Sequence, residues 1–214
     1  MAKRLVIAGA GGFGRGVHGW IATSPAYCEE HQIEDIVFID DQQEAGSLPA
    51  PVVSSIAEYE PDADDEVLCA IGAPGIRKSV IDLLRAAGAQ FHTYVDPRAT
   101  LGQGVRVGAG SIICPGSVLS AEVVVDEHVH VNFNCSLGHD TRLGDFTTVS
   151  PAVNIMGEVP VGSAVFLGGS AVVLPRLSVG AASVVGAGAV VTASVPAGVT
   201  VVGNPARIVR RRNG

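Results

Sequence analysis

An aliphatic residue stands at every sixth position from 101 to 191, and the series runs through 16 positions without a break. A period of six fits neither an α-helix nor the simple alternation of a strand, and a fixed short period indicates a solenoid. Three short strands per coil would use about 18 residues, and coils would stack about 4.8 Å apart. The pattern therefore predicts about five coils of parallel strands. The aliphatic residues are Leu101, Val107, Ile113, Leu119, Val125, Val131, Leu137, Leu143, Val149, Ile155, Val161, Leu167, Val173, Val179, Val185 and Val191.

Two further positions of the repeat are restricted in the same segment. Four places after each aliphatic residue the chain carries a small or compact residue, with Leu177 as the bulky exception. We expect this position to face the narrow interior near a bend. Gly often follows the aliphatic residue directly, at 102, 108, 138, 144, 162, 168, 180 and 186. We interpret these glycines as turn residues with positive φ, a conformation that glycine adopts at little cost.

Residues 3–94 follow a different pattern of apolar runs separated by glycine and polar segments. It predicts strands at 4–8, 35–39, 66–71 and 91–95 and helices at 15–22 and 76–87. A strand, a glycine turn, a helix and a second strand form a βαβ unit, which implies a parallel sheet. The sequence therefore predicts two domains, an α/β domain at 1–95 and a repeat domain at 96–214.

The segment between Gly9 and Gly14 follows the first predicted strand and matches the G-x-G-x-x-G fingerprint. Its backbone N–H groups suit a phosphate, and an aspartate at the end of the second strand suits a ribose hydroxyl. Fewer than 95 residues precede the repeat, which leaves no room for a nicotinamide half. We favour a single nucleotide or a nucleotide-linked sugar over NAD; a glycine turn that only packs helix against strand is the alternative. The candidate binding residues are Gly11, Gly12, Phe13, Gly14, Asp40, Asp41 and Gly72.

Composition narrows the range of partners. A net charge of −7 and a pI near 5.3 argue against nucleic acid and against an anionic membrane surface. We expect no membrane-spanning segment and no signal peptide, because no apolar run approaches the length of about 18 residues that a span needs. The cysteines at 28, 69, 114 and 135 form no CxxC pair and no legible disulfide framework, so a cytoplasmic location is the simplest expectation.

The order of motifs along the chain resembles that of the PglD-like and NeuD-like bacterial nucleotide-sugar acetyltransferases. The resemblance covers nearly the whole chain and implies a Rossmann-like N-terminal domain followed by a left-handed parallel β-helix. It also implies acetyl-CoA as co-substrate, a nucleotide-linked amino-sugar as acceptor, and no metal ion. The segments that carry it are Ala8–Gly14, Phe38–Asp41, Ala70–Gly72, Ile76–Lys78, Val131–Asn132, Leu137–Asp140 and Gly203–Arg207.

The resemblance assigns the catalytic roles. A His–acid pair is the general base of these enzymes, which makes His139 the candidate base, and imidazole suits that role near neutral pH. Asp140 is the candidate partner, although adjacent residues on a strand point to opposite faces. Gly157 lies one predicted coil further along, and its N–H is the candidate oxyanion donor.

Other roles in the family map onto residues around the base and in the glycine turn. Asn132 matches a position near the reactive group of the acceptor, with an exposed turn residue as the alternative. Many members carry a His in the glycine turn and another nine residues after the base. This chain has Phe13 and Thr148 at those places.

The resemblance also implies a homotrimer that binds acetyl-CoA in grooves between neighbouring β-helices. By position, Gly169 and Ala187 would offer backbone groups to the cofactor, and Pro205 and Arg207 belong to the closing motif. Arg207 would pair with a CoA phosphate. Because no long loop interrupts the repeat, we expect the N-terminal domain to present the acceptor.

Three other functions fit parts of the sequence. O-acetylation of a sugar such as sialic acid would use the same residues. A zinc carbonic anhydrase would need His128, His130 and His139 to converge, but their spacing is wrong, and we expect His128 and His130 to face outward on a subunit surface. A protein that binds nucleotide-sugars without catalysis is the third.

Overall fold

A computed structural model describes residues 3–41 and 48–211 and divides the chain into two compact units. Unit 1 is Met1–His92 and unit 2 is Thr93–Gly214, so the division lies a few residues before the one that the sequence suggested. The predicted fold class, an α/β unit followed by a parallel β-helix, is confirmed.

Unit 1 is a five-stranded parallel sheet with the strand order β3-β2-β1-β4-β5. Its central strands are buried on both faces, as at Leu5–Ala8 and Val37–Ile39. This explains why their sequences are short, uninterrupted apolar runs. Neither α2 nor β3 was predicted. The elements are β1 (Lys3–Ala8), α1 (Gly12–Ala22), α2 (Pro25–His31), β2 (Ile33–Ile39), β3 (Val52–Ser54), β4 (Asp65–Cys69), α3 (Pro74–Ala86) and β5 (Gln90–Phe91).

Unit 2 is a solenoid of mostly two-residue strands that belong in turn to three sheets. The strands pair in parallel except for the last two, Val199–Val202 and Arg207–Arg211, which are antiparallel. Most successive strands of one sheet are 18 residues apart, as in the pairing of Val118 with Ser136 and of Leu119 with Leu137. The eight-stranded sheet contains β6, β9, β12, β15, β18, β20, β22 and β23; the six-stranded sheet contains β7, β10, β13, β16, β19 and β21; the four-stranded sheet contains β8, β11, β14 and β17. The predicted period is confirmed.

The strands of unit 2, in chain order, are β6 (Tyr94–Val95), β7 (Thr100–Leu101), β8 (Arg106–Val107), β9 (Ile112–Ile113), β10 (Val118–Leu119), β11 (Val124–Val125), β12 (His130–Val131), β13 (Ser136–Leu137), β14 (Arg142–Leu143), β15 (Thr148–Val149), β16 (Asn154–Ile155), β17 (Pro160–Val161), β18 (Phe166–Leu167), β19 (Val172–Val173), β20 (Val184–Val185), β21 (Val190–Val191), β22 (Val199–Val202) and β23 (Arg207–Arg211). The predicted strand at 91–95 is split, since β5 belongs to unit 1 and β6 to unit 2.

The interior of unit 2 is formed by the aliphatic series together with the small residues of the repeat. Hydroxyls at the small positions are buried, and neighbouring backbone groups satisfy them. The Thr147 hydroxyl donates to the Gly162 carbonyl at 2.8 Å and accepts from the Val165 N–H at 3.3 Å. Ser and Thr therefore fit this apolar core because each hydroxyl is satisfied by backbone groups, in most cases those of the following coil.

The interpretation of the glycines that follow the aliphatic residues is wrong. Positive φ falls two residues later in each turn, where Asp140 has φ 58° and Phe146 has φ 60°. There the N–H bonds to the preceding coil, as Asp140 N–H does to the Ala121 carbonyl at 3.1 Å. The glycines serve close stacking instead, because a Cβ at Gly108 would lie 2.7 Å from backbone atoms of Asp126.

The expectation that His128 and His130 face an exposed surface is also wrong. The two side chains are 1% and 0% exposed. The His128 ring lies over Gly110 of the preceding coil and stacks on Phe146 of the following one, with ring centroids 5.5 Å apart. The stacking of coils thus buries a turn residue that the strand alternation places outside.

Candidate active site

A cavity of about 420 Å³ opens at the carboxyl ends of β1, β2 and β4 in unit 1. Parallel strands end at one edge of a sheet, so the glycine turn, the two aspartates and the loop after β4 meet there although they are far apart in sequence. Of the candidate binding residues, Gly11, Gly12, Phe13, Asp40, Asp41 and Gly72 line the cavity.

Gly14 is a candidate binding residue that does not line the cavity. It is buried, and a Cβ there would overlap the Gly9 carbonyl. Gly9 itself has φ +102°, a value that favours glycine. Gly14 therefore allows α1 to pack closely against the turn, and it acts on the cavity only by shaping it.

The two aspartates hold the walls of the cavity in place. One Asp40 carboxylate oxygen accepts from the Ala10 N–H at 2.6 Å, which ties the end of β2 to the glycine turn. One Asp41 oxygen accepts from the Ile56 N–H at 2.6 Å, which ties the same strand end to the segment after β3. These structural contacts were not predicted, and they orient the carboxylates at the cavity edge.

An apolar wall completes the cavity, and the sequence reasoning missed it. Ile56, Ile71, Ile76 and Val80 line this side together with Phe13. Ile76 and Val80 are four residues apart on α3, a spacing that places both on one helix face. This spacing, a few residues after Gly72, is the sequence signal from which the apolar wall could have been predicted. Apolar side chains and carboxylates that line one cavity suit a flat base attached to a ribose.

His139 and Asp140 lie in unit 2, in the turn between β13 and β14. Their side chains meet, with the His139 Nδ1–H donating to an Asp140 carboxylate oxygen at 2.8 Å, and both are 58% exposed. The alternation of a strand would separate them, but Asp140 occupies the positive-φ position of the turn, which reverses that expectation. The hydrogen bond selects the tautomer whose Nε2 is a proton acceptor.

Gly157 lies one coil beyond His139 in the turn between β16 and β17. A Cβ at this position would stand 2.5 Å from His139 Nε2, so the missing side chain leaves room beside the basic nitrogen. Glu158 N–H donates to the His139 carbonyl at 2.8 Å and joins the two coils. Among the residues that the structure describes, the Gly157 N–H has no hydrogen-bond acceptor.

Asn132 and Thr148 are not brought to His139 within one chain. Thr148 is 4% exposed on the eight-stranded sheet, the side of the solenoid opposite the turn that carries His139. Asn132 lies in the turn after β12, and its side-chain oxygen accepts from the Phe133 N–H at 3.0 Å.

The residues expected to bind the cofactor lie along another turn column. Gly169 and Ala187 follow β18 and β20 of the eight-stranded sheet and are 18 residues apart, whereas His139 and Gly157 follow strands of the six-stranded sheet. Pro205 follows a cis peptide bond after Asn204, and Arg207 is exposed at the start of β23. A single chain therefore separates these residues from His139.

Metal-binding and membrane-spanning features were also sought. Among residues 3–41 and 48–211, no group of three or more His, Cys, Asp or Glu side chains is arranged to hold a metal ion. None of the helices that the structure describes is long and apolar enough to cross a bilayer.

Comparison with known proteins finds a matching family model and a similar curated protein. Residues 4–84 match the family model of the PglD N-terminal domain. The chain is 35% identical to GDP-perosamine N-acetyltransferase of Escherichia coli O157:H7 over 147 residues, or 66% of either chain. It therefore spans about two thirds of that curated relative.

Two solved structures match almost from end to end. WeeI from Acinetobacter baumannii AYE is 31% identical with a TM-score of 0.86, and the match covers 97% of this chain and 100% of WeeI. The acetyltransferase domain of PglB from Neisseria gonorrhoeae FA1090, in complex with acetyl coenzyme A, is 28% identical with a TM-score of 0.88 and coverage of 98% and 100%. The chain belongs to the PglD-like family of bacterial nucleotide-sugar acetyltransferases.

Phe13 and Thr148 are the two residues expected, from the resemblance, at positions where many family members carry His. Phe13 lines the cavity of unit 1. Thr148 pairs in register with His130 on the eight-stranded sheet and is buried.

Proposed function

We propose that this chain transfers the acetyl group of acetyl-CoA to the amine of a nucleotide-linked amino-sugar, with His139 as general base. The observation that carries the proposal is the His139–Asp140 hydrogen bond at a turn where Gly157 leaves Nε2 accessible. The relatives support the substrate classes, because one is a GDP-perosamine N-acetyltransferase and another binds acetyl coenzyme A.

The residues of the turn divide the chemistry between them. Asp140 holds the imidazole so that Nε2 accepts a proton from the attacking amine as the carbon–nitrogen bond forms. Gly157 N–H donates to the thioester oxygen while it gains negative charge. His139 then returns the proton to the sulfur as the carbon–sulfur bond breaks, so that the products are an amide and the CoA thiol.

The cysteines favour direct transfer over an acyl-cysteine intermediate. Burial raises the pKa of Cys69 to about 11 and that of Cys135 to about 11, and it raises the pKa of Cys114 well above that of an ordinary thiol. Burial also raises the pKa of Cys28. Only the thiolate is a nucleophile, so these side chains stay protonated and unreactive near neutral pH.

The cavity of unit 1 is the proposed site for the nucleotide. Backbone groups at Gly11, Gly12 and Gly72 suit the phosphates, and Asp40 and Asp41 suit ribose or base donors. GDP-linked amino-sugars are the first candidates because of the likeness to the Escherichia coli enzyme.

A homotrimer is part of the proposal because one chain separates two parts of the site. Gly169, Ala187, Pro205 and Arg207 hold acetyl-CoA on one chain, and His139 of a neighbouring chain completes the groove. We place this assembly in the cytoplasm, because the four cysteines are free thiols.

The test follows release of the CoA thiol from acetyl-CoA in the presence of UDP-, dTDP- and GDP-linked amino-sugars and of free sialic acid. Turnover on one amino-sugar that falls about 10²–10⁴-fold in His139→Ala supports the proposal. Gln103→Ala is the matched control, since Gln103 is exposed on the same turn column two coils earlier.

Other results would change the proposal in defined ways. Turnover only on sialic acid would replace N-acetylation by O-acetylation. Turnover that survives His139→Ala would remove His139 as base. Tight nucleotide-sugar binding without any thiol release would indicate a binding protein that lacks catalysis.

A further inference from the structure

Arg77 is a charged side chain of unit 1 that the proposed reaction does not use. It is the fourth residue of α3, and its N–H donates to the Ala73 carbonyl at 2.9 Å, as expected for the first turn of a helix. Its side chain is 0% exposed. Arg is almost never fully buried without partners, so the surroundings of the guanidinium explain its position.

The guanidinium folds back onto the loop between β4 and α3. Its Nη1 donates to the Ile71 carbonyl at 2.8 Å and to the Gly72 carbonyl at 3.2 Å. Both residues line the cavity proposed to hold the nucleotide. Arg77 thus contacts the cavity wall from the protein interior without entering the cavity.

Stability alone does not favour a cation here. Burial lowers the pKa of Arg77 to about 10, which still leaves it protonated near neutral pH. A positive charge in the first turn also opposes the helix dipole. An apolar side chain of similar length would avoid both costs, so the hydrogen bonds to the loop are the feature that distinguishes Arg from it.

Those hydrogen bonds fix the direction of two peptide groups. In a trans peptide the C=O and the following N–H point in opposite directions. Because the carbonyls of Ile71 and Gly72 face Arg77, the N–H groups of Gly72 and Ala73 point away from the buried guanidinium. These N–H groups stand just before a helix, where donors favour a phosphate.

We propose that Arg77 is a positioning residue for the nucleotide diphosphate, which it serves by holding the 71–73 loop with its N–H groups directed at the ligand. This inference rests on the proposed function, since it concerns the same cavity. Arg77 itself touches neither the substrate nor the reacting atoms.

The experiment compares Arg77→Met and Arg77→Lys with the unchanged protein. Calorimetric titration with UDP, GDP and dTDP gives Kd, and steady-state rates give KM for the amino-sugar substrate and for acetyl-CoA. We expect Arg77→Met to raise Kd and the sugar KM by about tenfold or more, with kcat and the acetyl-CoA KM changed by less than about twofold. Arg77→Lys keeps the charge and part of the donor set. Its Kd and sugar KM should therefore lie between those of the unchanged protein and those of Arg77→Met.

The control is Lys78→Met, which removes an exposed cation from the same helix together with its ion pair with Asp82. A variant that is merely less stable would lose binding stoichiometry while Kd stays the same. Unchanged Kd and sugar KM in both Arg77 variants would overturn the inference and leave the proposed function standing. Failure of the unchanged protein to bind any of the three nucleotides would instead count against the proposed function.

A measurement on the unchanged protein covers the case in which neither variant folds. Amide hydrogen exchange of the peptide spanning 70–76 should slow when the nucleotide that binds is added, because the Gly72 and Ala73 N–H groups become donors to it. Exchange that the nucleotide leaves unchanged would overturn the inference.

Discussion

The cavity of unit 1 and the His139 turn of unit 2 are built by opposite means. The cavity joins the glycine turn, the Asp40–Asp41 pair and the 71–73 loop, which come from three strand ends far apart in sequence. The His139 turn needs only its own residues and the next coil, where Gly157 stands beside Nε2. A site made from neighbouring coils depends on local stacking, whereas a site at a sheet edge depends on long-range packing.

The two regions also differ in how buried polar groups are satisfied. In unit 2 the Thr147 hydroxyl bonds to backbone of the next coil, and the same arrangement recurs along the solenoid. In unit 1 the buried Asp65 is held by Arg4 and Tyr59, a single set of side chains. Substitutions in unit 2 should therefore act locally, and those in unit 1 should act through specific partners.

The sharpest way to break the local site is Gly157→Ala. The added Cβ would collide with the exposed imidazole, which can rotate away, so we expect kcat to fall about 100-fold while the thermal midpoint changes little. Thiol release and thermal unfolding measure the two quantities. Ala121→Gly, one coil before His139, is the control and should leave kcat unchanged. Normal kcat in Gly157→Ala would argue against this geometry.

The core of the solenoid is tested by Thr147→Val, which keeps the shape and removes the hydroxyl. The Gly162 carbonyl and the Val165 N–H then lose a buried partner, so the free energy of unfolding should fall by about 1–3 kcal/mol. Chemical denaturation measures the change. Ser163→Ala, at an exposed turn position, should cost nearly nothing. An equal effect of the two substitutions would contradict the role of the buried hydroxyl.

The role of Asp140 as hydrogen-bond partner of His139 is tested by Asp140→Asn, which keeps the size of the side chain and removes its charge. We expect kcat to fall about tenfold, because the amide orients the imidazole less well and does not stabilise its protonated form. Glu122→Gln, at the equivalent turn position one coil earlier, is the control. If the two variants have equal kcat, Asp140 is not the partner of the base.

The smallest effect concerns acid sensitivity in unit 1. Burial by itself raises the pKa of Asp65, but hydrogen bonds from Arg4, Tyr59 and the Asp62 N–H outweigh it and hold the pKa below its ordinary value. Such a carboxylate stabilises the fold above its unfolded pKa of about 3.9, and this contribution is lost as the pH falls through the folded pKa. The unfolding free energy should therefore fall less steeply below about pH 5 in Asp65→Asn than in the unchanged protein.

The control for that prediction is Asp35→Asn, since Asp35 is an exposed residue of β2. Its acid dependence should match that of the unchanged protein. Denaturant midpoints at several pH values between neutrality and pH 3 supply the slopes. Parallel slopes for the unchanged protein and Asp65→Asn would show that the hydrogen-bonded carboxylate is not a source of acid sensitivity.

Much of the fold was readable from the sequence, for a physical reason that differs between the units. In unit 2 each coil repeats one packing rule, so the aliphatic period predicted the strands and their partners. In unit 1 the buried strands β1, β2 and β4 were predicted from apolar runs, but α2 and β3 were missed because both are short. The role of the turn glycines was misread, since crowding between coils leaves no mark of its own in the sequence.

The sequence predicted which residues belong to the candidate site, but it did not predict most of the contacts between them. The sequence led to Gly11, Gly12, Asp40, Asp41 and Gly72, and the structure gathers them around one cavity. It led to His139 as well, but the strand alternation argued against Asp140 as partner. The apolar wall was missed although Ile76 and Val80 have helical spacing. The contacts of the buried Arg77 were not found, because no spacing pattern marks an arginine that folds back onto a loop.

By itself the sequence determined the period of the solenoid, the parallel sheet that precedes it, and the residue types available for chemistry. These follow from local periodicity and from strand ends, which depend on near neighbours in the chain. Only the tertiary structure decided that His128 and His130 are buried, that Asp140 reaches His139, and that Arg77 holds the 71–73 loop. Each of those facts depends on how close backbone and side chains come once coils stack and loops fold back, and those distances are set by packing in three dimensions.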